Sequence, residues 1–518
     1  MRSGALARIS AAWGVLRGRP QRRSAFKAAD VNRTVLDWVT GDSAIDDDLR
    51  FNLARLRSRA RDLERNSPVA RHFLRMVAVN VVGPNGVRCR PQIRQADDTL
   101  DREANRFVLD AWTDWSRAAT IGGRVTFNSF SRQVIRGVAR DGEAFVRLWR
   151  GFDNRFGFAL EYIDPMLVDE SYNKPPDQSG NEVRLGIEVD EFGRPLAYHV
   201  WDSPQRLIGS SSRNRLRIPA DQMLHIYDPE QANQSRGVSW MVAVMQPMKM
   251  LDGYREAEVV AARLGAAKMG FFQRKEGLDT STLSPDERGN LEMEANPGTF
   301  LVLPDGYEVS AWTPDHPSSA YASFVKDKMR EIATGLGVSY NSLASDLEGV
   351  NYSSMRSGLL IERDLWRTYQ NWWIDSVLTP VYREWIAATS LRSITSGGAE
   401  GVAVGGVDIY APPRWSPRGW PWVDPLKDVQ ATKEAIEAGL GSRHQALAEQ
   451  GLDYEETLEE LAVEDELAAE YGVDVEVNTG PVSTVTDGGS ASADDEGSPA
   501  PNGNVKKSIN NANHRRRF

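Results

Sequence analysis

The chain has 518 residues, a single cysteine (Cys89), 62 lysines and arginines against 72 aspartates and glutamates, and a formal net charge of −10. One cysteine excludes an intramolecular disulfide and leaves no ligand set for a zinc or iron–sulfur site; no apolar run reaches the length of about 18 residues that a membrane helix needs. The acidic balance argues against a protein whose main task is gripping phosphates, while 41% hydrophobic residues suit a folded chain with several cores.

In chain order, residues 1–29 are a basic arm: Arg2, Arg8, Arg17, Arg19, Arg22, Arg23 and Lys27 occur before the first acidic residue, Asp30. That composition suits a transit peptide as well as an arm that touches DNA or a protein shell. Asp46, Asp47 and Asp48 read as the first turn of a helix, where the helix dipole favours negative charge, rather than as metal ligands. Helices are predicted over Arg50 to Leu63 and Pro68 to Val82, the second ended by Gly83-Pro84-Asn85-Gly86. Strand-like residues Val87 to Arg90 follow. A helix over about Leu100 to Trp115 is expected to turn Phe107, Ala111 and Trp115 to one side, and another covers about Phe127 to Arg140. Asp141-Gly142 turns into the strand Glu143 to Trp149. Further strands are predicted at Phe158 to Val168, Val183 to Val189, Pro195 to Trp201 and Met223 to Tyr227. Residues 30–245 thus read as a mixed α+β domain.

Gln246 to Gly270 is a helix rich in small residues. An apolar run at Gly298 to Leu303, a Pro304-Asp305-Gly306 turn and Tyr307 to Trp312 predict a β-hairpin. A helix over Ser319 to Gly335 carries Phe324, Met329, Ile332 and Leu336. Residues 341–352 are rich in turn formers and read as a polar loop. From Ser353, Leu359, Trp366, Tyr369, Trp373, Val377, Val381 and Trp385 recur at three- and four-residue spacing, predicting one helix of roughly 50 Å at about 1.5 Å per residue. Trp415, Trp420 and Trp422 read as packing anchors of an irregular segment. Residues 425–474 read as two or three acidic helices bearing Glu459, Glu460, Glu464 and Asp465, and residues 475–518 as a tail too polar to bury a core.

Chemistry-bearing motifs are scarce. The sequence holds no GxxxxGK[ST], GxSxG or HExxH motif and no Rossmann glycine fingerprint. Six histidines are scattered without metal-ligand spacing. His225, in an apolar strand, reads as a hydrogen-bonded core histidine, and Asp164 before Pro165 as a turn residue. No cofactor and no metal is expected, and the chain is not expected to be an enzyme.

Five stretches occurring in a fixed order carry a resemblance: Arg57 to Gly83, Met223 to Trp240 (ending SRGVSW), Ser235 to Met245, Leu251 to Ala267 and Ala333 to Leu360 (ATGLGVSYNSLASDLEGVNYSSMRSGLL). Together they resemble the portal proteins of tailed phages, lambda type, over about residues 30–425. The resemblance implies an α+β portal-type fold: a wing (30–245), stem helices (246–270 and 319–336) around a small β-containing clip (271–318), a tunnel loop (337–352), a long wall-spanning helix with the rest of the wing (353–424) and a helical crown (425–474). It also implies a homo-oligomeric ring, usually of twelve copies, at one capsid vertex of a virion assembled in the bacterial cytoplasm. Double-stranded DNA passes through such a ring, a terminase and then a head–tail adaptor dock on it, and the capsid or scaffold protein surrounds it. On that reading Leu343, Leu347, Glu348, Val350 and Asn351 lie nearest the DNA; the alternative for the same loop is a buried connection within a single chain. Arg236, Trp240, Tyr352 and Arg356 have packing and inter-subunit roles, and the acidic crown repels DNA. A soluble metal-dependent nuclease with scattered carboxylates, or a shell or scaffold protein without a channel, are the competing readings.

Overall fold

The computed structural model describes residues 44–95, 99–202, 214–266, 270–274, 307–311, 320–348, 351–395, 412–420 and 425–471. The basic arm, the tail from 475, Trp422 and the expected strand Gly298 to Leu303 lie outside the described residues. The chain divides into two units, Met1–Tyr454 and Glu455–Phe518.

In the first unit, helices α1 (Ile45–Asn66) and α2 (Pro68–Val81) lead off, separated by Ser67, with Pro68 at the first position of α2, where its missing N–H costs nothing. Gly83 and Gly86, both at positive φ, end α2. Helix α3 (Arg102–Ser116) is capped by the Asp101 side chain and α4 (Phe127–Asp141) by Thr126. The buried stripe of α3 is Val108, Trp112 and Trp115, whereas Phe107 is half exposed. Trp115 is thus buried as expected, while Val108 and Trp112 take the inward places expected of Phe107 and Ala111.

Strand β2 (Glu143–Arg150) is the centre of an antiparallel sheet, between β3 (Phe158–Ile163) and β8 (Met223–Tyr227). Its alternation divides two cores: Ala144, Val146 and Leu148 face the main helical core, and Phe145 faces a smaller one. That smaller core is closed by a four-stranded antiparallel sheet of β4 (Glu182–Arg184), β5 (Ile187–Val189), β6 (Pro195–Trp201) and β7 (Arg215–Pro219). The single strand expected over Val183 to Val189 is instead a hairpin, turned at Leu185 and Gly186, which take φ of 49° and 83°. A two-residue turn of this hand matches strand twist, and burial of the Leu185 side chain holds a leucine where glycine is usual.

Helix α5 (Met245–Ala266) leads to β9 (Gly270–Arg274), which pairs antiparallel with β10 (Tyr307–Ala311). The partner observed for β10 is thus β9. Helix α6 (Tyr321–Gly335) buries Met329 and Ile332 and leaves Phe324 half exposed. The stretch read as a loop begins with a short helix, α7 (Tyr340–Ala344), capped by Ser339.

The predicted long rod is continuous in helical backbone but not in winding. Helix α8 (Tyr352–Trp373) passes through a π-helical turn, Ile374–Leu378, into α9 (Thr379–Thr395). Pro380 explains the turn: a proline lacks an N–H and crowds the carbonyl one turn back, and widening the preceding turn relieves both. There the Thr379 N–H donates five residues back, to the Ile374 carbonyl. The whole rod spans about 65 Å at about 1.5 Å per residue. Trp366, Trp373, Val377, Val381 and Trp385 along it are all buried, as their spacing predicts. Around Trp385 gather Trp112, Trp115 and Tyr382, and Trp415 closes the cluster 6.1 Å from Trp112. Trp415 lies in β11 (Arg414–Ser416), which pairs with β1 (Arg88–Arg90). Helices α10 (Pro425–Glu437) and α11 (Arg443–Glu449) follow.

The second unit is described only along helix α12 (Tyr454–Tyr471), which starts at the last residue of the first unit. Glu459, Glu460, Glu464 and Asp465 are exposed on it.

Candidate functional site

Two of the family-like stretches take definite form. The first, Ser235 to Trp240, is a strap across the α4–β2 corner. Gly142 ends α4 at φ 94°, and its backbone meets that of Gly237 so closely that a Cβ on Gly237 would lie 2.1 Å from the Gly142 carbonyl oxygen. Only glycine fits either place. That approach delivers Arg236, fully buried, onto the fully buried Glu143: Nε donates to both carboxylate oxygens at 2.9 Å and Nη2 donates to Oε1 at 2.6 Å. Glu143 also accepts from the Gly237 N–H, from His225 Nε2 at 3.0 Å and from Arg57. Burial opposes its charge, yet the adjacent Arg236 and the His225 hydrogen bond hold its carboxyl well below the usual carboxylate range. Burial pushes His225 down and outweighs the pull of Glu143, so the ring is neutral at neutral pH and donates its Nε2–H.

The strap is fastened at both ends. Asp46, in the first turn of α1, accepts from the Ser235 N–H at 2.9 Å and from its hydroxyl at 2.6 Å. Trp240 stacks on Tyr369 of α8, ring centroids 4.3 Å apart. The motif therefore ties α1, the α4–β2 corner and the long rod to one another. Arg236 has no exposed surface, and its charge is matched inside the chain by Glu143.

The second stretch precedes the rod. Ser339 donates its N–H to Glu362 of α8 at 3.1 Å, and the Ser342 carbonyl lies 3.1 Å from His72 Nε2. Leu343 is 3% exposed and belongs to the main core. Helix α7 folds back on α2 and α6, which places the Leu343 side chain among them. Beyond it the chain turns outward. Ser345 takes φ 52°, Asp346 accepts from the Tyr340 hydroxyl at 2.7 Å and from the Glu348 N–H, and Leu347 is 68% exposed. Those hydrogen bonds, first that of Tyr340, lower the Asp346 pKa. Glu348 and Asn351 are exposed, Val350 lies outside the described residues, and Tyr352 is the first residue of α8. Arg356 donates to Asp428 of α10 at 2.7 Å, an intrachain ion pair.

Sequence reasoning named Arg236 and Trp240 but not their partners. Glu143, Arg57 and Tyr369 come from distant segments, and the available signal was a carboxylate opening one strand and a histidine within another, two residues from the position that pairs with it. Among the described residues no group of three His, Cys, Asp or Glu side chains is placed to hold a metal.

The model of the lambda family of phage portal proteins matches residues 32–370. The chain belongs to that family. The probable portal protein of Halomonas phage phiHAP-1 is 33% identical over 463 residues, 86% of this chain and 87% of its own. Portal protein B of Escherichia phage lambda is 23% identical over 464 residues, 81% of this chain and 85% of its own. Among solved structures, a chain of the neck of an empty GTA particle, computed with C6 symmetry, covers 78% of this chain and 94% of its own at 14% identity and a TM-score of 0.41. The SRGVSW strap, the α7 segment and most of α8 fall within the span that the family model matches.

Proposed function

We propose that copies of this chain close into a ring at one capsid vertex and that double-stranded DNA passes through its centre during packaging and ejection. The observation that carries this reading is membership in the portal family, together with a phage relative alike over most of both chains. Head-to-tail contacts between identical subunits generate a ring whenever the rotation per copy divides a full turn, and twelve is the number we expect.

In this reading the α8–α9 rod spans the ring wall, and Leu347, Glu348, Val350 and Asn351 approach the DNA. Exposure of Leu347, Glu348 and Asn351 at the head of a rigid, core-anchored helix supports that role. Residues 30–245 with 353–424 form the wing, α5 and α6 the stem, and 271–318 the clip on which the terminase and later the adaptor dock. Residues 425–474 form the crown, whose exposed carboxylates repel the duplex. The role is mechanical rather than catalytic and belongs to the virion.

Replacing Ser345 to Asn351 by a glycine–serine segment of equal length tests the assignment. Rings should still form while DNA retained after packaging falls. If rings fail to form, the segment is an interface element and not a DNA contact.

A further inference from the structure

Helix α2 packs against α4, and between them lies a cleft of about 460 Å³ whose charged lining is one-sided: Arg75, Arg132, Arg136 and Arg140 against Glu64 alone. Arg132, Arg136 and Arg140 follow one another at four-residue intervals, which puts them along one face of α4, and Arg75 approaches from α2. The arginines are not equivalent. Glu64 accepts from Arg136 at 2.6 Å and from Arg140 at 2.7 Å, and Arg140 also pairs with Asp141. Arg132 is held by neutral oxygens only, the carbonyls of Gly83 and Pro84 and the Ser129 hydroxyl. Arg75 is exposed and makes no hydrogen bond or ion pair among the described residues. Two positive charges therefore stand uncompensated in a concave site, one of them with its guanidinium already oriented.

From this arrangement we infer that the cleft binds a phosphate group. The one carboxylate in the lining, Glu64, is already shared between Arg136 and Arg140, one oxygen to each, and leaves Arg75 and Arg132 without a counter-charge. A tetrahedral group presents oxygens in several directions and meets guanidiniums from two helices together. Arg132 is fixed before the ligand arrives, so less freedom is lost on binding. The Gln133 amide, also in the lining, offers further donors. The phosphate source is either the backbone of duplex DNA or a free phosphate, and the site itself reads only the oxyanion. Binding is a property of the single chain and does not depend on ring formation or on residues 345–351.

The test uses the full chain with two probes, a labelled 20-base-pair duplex followed by anisotropy across a salt series and pyrophosphate followed by calorimetry. Variants are Arg75→Gln, which breaks no contact among the described residues, Arg132→Gln and the pair. For the duplex, the double variant should flatten the slope of log K against log salt by about 2 and Arg75→Gln alone by about 1. Pyrophosphate affinity should fall about tenfold or more in the double variant, and Arg75→Gln alone should weaken it with melting temperature and ring assembly unchanged. Binding of the duplex without pyrophosphate assigns the source to a DNA backbone, and binding of both assigns a general phosphate site. The inference is overturned if the wild-type chain binds neither probe, if the variants bind both as the wild type does, or if they lose ring assembly while keeping phosphate affinity. The last result would make the cleft a seat for a carboxylate of a neighbouring copy.

Discussion

The strap at Ser235 to Trp240 and the segment from Ser345 to Asn351 are both family-like, and they are spent in opposite ways. In the strap, Ser235 and Arg236 have partners within the chain, Arg236 is fully buried, and the glycine between motif and corner admits no side chain. In the segment before α8, the backbone is tied down by Asp346 while Leu347 stands 68% exposed. A family-like motif is thus not by itself a mark of function. One motif holds the scaffold and the other is carried by it, and burial distinguishes them.

Substitutions break or sharpen this contrast. The largest effect is expected from Glu143→Gln, which leaves Arg236 and Arg57 buried without their shared counter-charge; urea unfolding should show a loss of about 3–5 kcal/mol. A loss below about 1 kcal/mol would mean that the strap is not the fastener described. Gly237→Ala should follow, at about 1–3 kcal/mol, since the added methyl meets the Gly142 carbonyl and backbone must move. Acid has a smaller effect with a defined sign. His225 is neutral when folded and its pKa is lowered, so as pH falls through about 6.5 the unfolded chain takes up a proton that the folded chain refuses, and stability drops. The loss from this group is at most about 1.4 kcal/mol per pH unit, and His225→Gln should reduce the fall of the urea midpoint between about pH 6.5 and 5.5, the part that remains coming from His199, which burial also pushes down. Glu143, with its lowered pKa, adds loss of the same sign below about pH 4.5. Smallest of all, Leu347→Ser should change stability by less than about 0.5 kcal/mol, and a larger loss would move Leu347 into the scaffold class.

Much of the fold was legible where local pattern and burial agree. Pro195 to Trp201 and Met223 to Tyr227 were read with their observed ends, because apolar residues there are bounded by breakers. The stripe from Trp366 to Trp385 gave the rod, but not its π turn: Pro380 announces a defect, and only the packing around it decides between a break and a widened turn. The Leu185-Gly186 turn was missed since a buried leucine at positive φ has no local signature. The segment around Leu343 was read as loop because turn formers on both sides hid a helix of only five residues. The pairing of Arg236 with Glu143 spans 93 residues and has no periodic trace in sequence.

The central claim is that these subunits act only when they surround an opening. Negative-stain class averages of the purified full-length chain across a concentration series test it most directly. The account predicts closed rings with a central hole wide enough for a double helix; particles that remain single chains at every concentration, or sheets and closed shells without an axial hole, would contradict it.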